Sequence, residues 1–152
     1  MKTKTFLLIS LMLGIGLLNL NGQVVFRVND KGTGTVHTSF VWPWTNPVYC
    51  DGVLIDELTG TVSSKNVYSL ENWEQNGANE HYYGELVSSN TGEVFRFNER
   101  DHAMNVVMIE GEIYGTDHVH FTMLGNRGTR YVGSCIIDLH SWTVTYTKFL
   151  CN

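Results

Sequence analysis

The sequence predicts an all-β protein, an antiparallel up-and-down (meander) β-barrel of about 8–10 strands, with a β-sandwich as the second choice. Three observations lead there. Apolar and polar residues alternate with a period of two over most of the chain. Glycine, asparagine and aspartate punctuate that alternation at short intervals. No helical period occurs outside the N-terminal apolar stretch. Closely spaced strands pair in sequence, and closing the sheet removes edges that invite aggregation.

The elements follow in order. Val24, Phe26 and Val28 alternate with Val25, Arg27 and Asn29, and residues 30–34 turn. Val36, Thr38, Phe40 and Trp42 continue the pattern until Pro43, which cannot donate to a ladder and is expected to end the strand. Asn46-Pro47 and Asp51-Gly52 read as two turns holding Cys50 on a tight loop. A strand from Val53 follows, with Gly60 marking a bulge or bend. Residues 66–73 are a strand, 75–79 a polar loop, and 81–88 a strand that ends at Asn90-Thr91-Gly92. Val94 to Asn98 is a short strand, and the charged residues 99–103 read as a loop. Residues 105–114 form the most apolar strand, with a turn at 115–117. The stretch 118–124 then points Val119, Phe121 and Met123 inward. Gly125-Asn126-Arg127-Gly128 is a hairpin loop, and 130–139 with 142–151 make the last hairpin.

The N-terminus carries the marks of a secretory signal peptide over 1–22. Lys2 and Lys4 precede an apolar core from Phe6 to Leu18, then a short polar end closing on Gly22. That core is shorter than the roughly twenty residues of a membrane span, so no stable membrane insertion is expected. Residues 23–152 then form a single β-barrel domain of about 130 residues, enough to bury a real core. Cleavage takes the formal charge from −5 to −7. With no run of basic residues in the sequence, nucleic acid and anionic membrane are not expected partners. The expected location is secreted or periplasmic, where disulfides persist. Three cysteines allow three pairings. Cys50 with Cys151 is the expected one, because the first and last strands of a closed meander are neighbours; Cys135 lies mid-strand as a small buried apolar residue.

The stretch NPVYCDGVLIDELTGTV, from Asn46 to Val62, resembles the start of small secreted proteins of uncharacterised function, in which an Asn-Pro-Cys-type turn leads into a strand. Val48-Tyr49 separate Pro47 from Cys50 here. His81 with Gly84, the turn at Ser89–Glu93 and the Asn98-Glu99 pair match more loosely. The resemblance implies a calycin-type, lipocalin-like barrel and a secreted location; it implies no activity.

Few residues suggest chemistry. His118 and His120 share a strand face with Asp117 nearby, but a metal site needs a third ligand from elsewhere. Two solvent-facing histidines are the expected outcome, so no metal is assigned. Glu110 and Glu112 read as co-facial acids on a solvated strand face, and no catalytic residue is assigned. Trp42, Trp44 and Trp73, with Tyr83 and Arg96, are the candidate ligand-binding residues, since aromatics at a barrel mouth suit apolar ligands or sugar faces. Ser134 lacks a nucleophile elbow, and no phosphate-, dinucleotide-, zinc- or calcium-binding motif is present, so no cofactor is expected. The reading is a non-enzymatic β-barrel binding a small apolar or amphipathic ligand inside. The alternatives are a barrel-cavity enzyme of cyclase or isomerase type, for which His37, Asp56, His81 and Arg96 would have to point inward, and a structural or adhesive secreted module.

Overall fold

A computed structural model describes residues 21–151. They form eight antiparallel strands and no helix: β1 (Asn21–Val28), β2 (Gly34–Cys50), β3 (Val53–Glu71), β4 (Glu74–Ser88), β5 (Val94–Ile109), β6 (Glu112–Gly125), β7 (Arg130–Asp138) and β8 (Val144–Cys151). The strands pair in sequence order within one sheet, so the predicted up-and-down topology holds. The predicted leader lies outside the described residues, except that Asn21 and Gly22 open β1.

The sheet does not close into a hydrogen-bonded barrel; β1 and β8 are its edges. The reason lies in strand length and direction. β1 pairs only with Gly34–Val41 and leaves the second half of β2 uncovered. That uncovered half is where β8 arrives, and the two even-numbered strands run in the same direction. They meet at one point, the Cys50–Cys151 disulfide, with Cα atoms 6.3 Å apart. The expected pairing is therefore present, but as a covalent clasp on a curled sheet, and Cys135 is a buried free thiol.

Curling puts one face inside. At the clasped end Val48, Leu58, Val62, Leu86, Phe95, Phe97, Met123 and Tyr131 form the main core, drawn from β2 through β7. The Asn46 amide reaches the sulfur of Met123 across the interior, 3.9 Å from β2 to β6. Gly60 and Gly84 allow the bend: a Cβ at either would run into a carbonyl oxygen of the paired strand, Glu85 or Thr61. A smaller core of Ala78, Ala103, Val106 and Leu139 lies toward the other end.

Several expected breaks are continuous strand. Pro43, Asn46 and Pro47 lie within β2, because past Val41 this strand has a free edge on which proline is tolerated. Residues 75–79 belong to β4, the turn falling instead at Asn72-Trp73, both with positive φ. Residues 99–103 lie in the middle of β5. The β5–β6 turn is Glu110-Gly111, so Glu110 does not share a strand face with Glu112, and Gly115 is inside β6. Each misplaced boundary rested on a local signal, whether proline, glycine or charge, which pairing along a long strand overrides.

Candidate cation-binding site

Strand alternation and register gather an oxygen-rich patch on the concave face. Thr38 pairs with Asn66, Asn66 with Glu80, and Glu80 with Asp101, making one row across β2 to β5. Two residues along, Tyr82 pairs with Glu99 on one side of that row, and Ala103 pairs with Asp117 on the other. The patch lies between the two cores, with Trp42, Tyr82 and Phe121 packed on the main one and Tyr68 on the smaller.

Four carboxyl groups share this space without a cation of their own. Carboxylate oxygens of Glu80, Asp101 and Asp117 lie within 4.8 Å of one another. The one ion pair among the described residues, His140 with Glu112, is on the surface at 3.3 Å. Tyr68 donates to Glu80 Oε1 at 2.6 Å and accepts from Asn66 Nδ2 at 3.2 Å. Oxygens of Thr38, Asn66, Asp101 and Asp117 are buried with no hydrogen-bond partner. Asn66 is 5% exposed and Asp117 9%.

Burial governs the titration. Desolvation, then the charges of Asp117 and Glu80, raises Glu99 to about 7. Desolvation, then Glu99, Asp117 and Glu80, raises Asp101 to about 8. Glu80 and Asp117 are raised too, by burial first. The phenols of Tyr68 and Tyr82 are pushed up by burial and by the Glu80 charge. These directions describe clustered acids whose burial outweighs the hydrogen bonds that some of them receive, Glu80 from Tyr68 and Asp117 from the backbone of His102 and His118.

Elsewhere the fold satisfies its buried acids. Asp56 Oδ1 accepts from the Glu57 backbone N–H at 2.8 Å and helps hold Ser89 and Asn90. Glu93 accepts from the Arg127 N–H at 2.8 Å, the Thr129 N–H at 3.3 Å and the Thr129 hydroxyl at 2.7 Å. Asp56 and Glu93 are structural braces of the loops at the clasped end. The clustered four differ, in that Asp101 and Asp117 each keep a buried oxygen with no partner.

The five candidate ligand residues fall in three places. Trp42 and Trp44 are half-buried against the main core, in edge contact at 6.0 Å, and Trp42 also meets Tyr82 at 6.0 Å. Trp73 is a turn residue, 49% exposed, whose N–H donates to the Gly32 carbonyl at 2.9 Å. Tyr83 and Arg96 line a shallow concavity of about 380 Å³ on the outer face, together with His81. Of the four polar residues that a catalytic interior would need, only Asp56 is buried, and it is a brace; His37, His81 and Arg96 alternate with inward-facing residues and lie on the outer face. His118 and His120 are exposed there as well, His120 Nδ1 lying 2.8 Å from Ser134 Oγ, and among the described residues no third ligand joins them.

Compared with family profiles, curated proteins and solved structures, the chain matches none.

Proposed function

We propose that this is a secreted or periplasmic, non-enzymatic binding protein whose concave face holds a hard divalent cation between Glu80, Asp101 and Asp117. The observation that carries the reading is the set of buried oxygens with neither cation nor donor. An all-oxygen donor set suits calcium, magnesium or manganese rather than softer metals. Calcium–oxygen distances of about 2.3–2.6 Å place two ligands of one ion no more than roughly 5 Å apart, and the three carboxylates meet that limit. Asn66 and Thr38 supply further oxygens from the same row. The apolar half of the concave face is filled by its own side chains, which moves the expected guest from an apolar molecule to a charged one. The disulfide supports export, since such bonds persist in oxidising compartments. Among the described residues no helix is long and apolar enough to cross a membrane.

Thermal unfolding after EDTA treatment, with and without millimolar Ca²⁺, Mg²⁺ or Mn²⁺, tests the assignment. At least one of these ions raises the midpoint in the wild type and fails to do so in Asp101→Asn and Asp117→Asn. Equal midpoints in every ion would remove the cation from the account.

A further inference from the structure

The outer face carries the opposite charge, assembled by register from residues distant in sequence. Lys65 pairs with His81, His81 with Arg100, Arg100 with His120, His120 with Ser134, and Ser134 with Lys148. This is one unbroken row across six strands, about 24 Å long at ~4.8 Å per strand step. Lys65, Arg100, His120 and Lys148 are exposed and His81 is half-buried. None of the three fixed cations is within salt-bridge distance of an acid among the described residues. The rows on either side contain no acid either, but amide, hydroxyl and aromatic groups such as Asn79, Tyr83, Asn98 and Thr122. Glu80, Glu99 and Asp101, next to these residues in sequence, face the other way by alternation.

We propose that this row is a binding surface for a linear anionic polysaccharide, bearing carboxylate or sulfate groups, laid across the strands. The row is one residue wide on a convex sheet, which fits a single extended chain. A bilayer or a nucleic acid duplex presents a broad negative plane, whereas the rows on either side of this one add no lysine or arginine. Several side chains are held ready. His81 Nε2 lies 2.9 Å from Asn98 Nδ2, His120 is fixed on Ser134, and His102 Nδ1 lies 2.8 Å from Asn79 Oδ1. Lys65 Nζ sits 5.6 Å from the Tyr83 ring centre. Positioned side chains lower the ordering cost of binding, and flanking amides and hydroxyls offer partners for sugar hydroxyls.

The test is binding of the full-length protein to size-defined heparin fragments and to polygalacturonate, measured by calorimetry over a range of salt, in EDTA. EDTA separates this face from the concave site. The wild type binds at least one of the two, with affinity falling as salt rises, and does not bind neutral dextran. The triple substitution K65Q/R100Q/K148Q lowers affinity roughly tenfold or more and flattens the salt dependence, whereas Asp101→Asn leaves both unchanged. Circular dichroism establishes that the triple variant is folded; if it is not, K65Q and K148Q singly, at exposed positions, carry the comparison. No binding by the folded wild type, unchanged affinity in the variants, or tighter binding to a DNA duplex or to phosphatidylserine vesicles would overturn the proposal.

Discussion

Replacing Glu99 by glutamine should stabilise the protein, and by an amount that depends on pH. Glu99 has an ordinary value of 4.5 and is raised to about 7 in the fold by desolvation and by Asp117 and Glu80. The folded state therefore binds this proton more tightly than the unfolded chain does. Stability is lost as pH rises from the unfolded value through the folded one, and the full cost is present above about 7. At about 1.4 kcal/mol per tenfold change in proton affinity, the charged side chain costs about 3 kcal/mol at pH 8 and under about 1 kcal/mol at pH 5. Glutamine mimics the protonated acid and removes that cost. Urea unfolding in EDTA at both pH values measures it. The expected result is a higher midpoint with unchanged slope at pH 8, and a shift roughly a quarter as large at pH 5. A loss of stability at pH 8, or the same gain at both pH values, would refute the reasoning, since the first implies a hidden donor and the second an effect unrelated to charge.

Other outcomes follow from the clasp, the core and the bend. Substituting both Cys50 and Cys151 by serine should cost about 2–4 kcal/mol in denaturant unfolding, below the roughly 4.7 kcal/mol of the chain-entropy limit for a separation of 101 residues; the wild type under reductant should match it. Phe95→Ala should cost about 3–5 kcal/mol by urea unfolding, because Phe95 is 1% exposed and stacked on Tyr131 at 5.4 Å. Gly84→Ala should destabilise by at least about 1–3 kcal/mol, since its Cβ would meet the Thr61 carbonyl rather than a movable side chain; a neutral result would show that the bend has slack.

Topology was legible in the sequence because strand alternation and hairpin turns are local. The Asp51-Gly52 and Gly125–Gly128 turns and the inward Val119/Phe121/Met123 set rest on such signals, whereas the Cys50–Cys151 pair was reached from a closed meander that the sheet does not form. Closure was not legible: it depends on where β1 stops along β2, a long-range property. The concave site was missed for a related reason. Residues 99–103 are charged, and charge in a short stretch reads as a loop. Only the partners of β5 on both sides turn Glu99 and Asp101 inward toward Glu80 and Asp117. One signal was present: Glu99, Asp101 and Ala103 alternate with Arg100 and His102, acid or small on one side and basic on the other. The basic row was invisible for want of register, since its successive members lie 14 to 20 residues apart in the chain. The aromatic cue pointed to Trp42 and Trp44, which line the concave face, and equally to Trp73 and Tyr83, which do not.

Cation binding on the concave face is measured by calorimetric titration of the EDTA-stripped protein with Ca²⁺ and Mn²⁺ at pH 7, in two buffers of different ionisation enthalpy. One saturable site is expected, with a heat that depends on the buffer, because a bound cation expels protons from carboxyl groups raised to about 7 and about 8. Both features should vanish in the Asp101→Asn/Asp117→Asn double variant. Absence of saturable heat from the folded wild type with either ion would contradict the account, as would undiminished binding by the double variant.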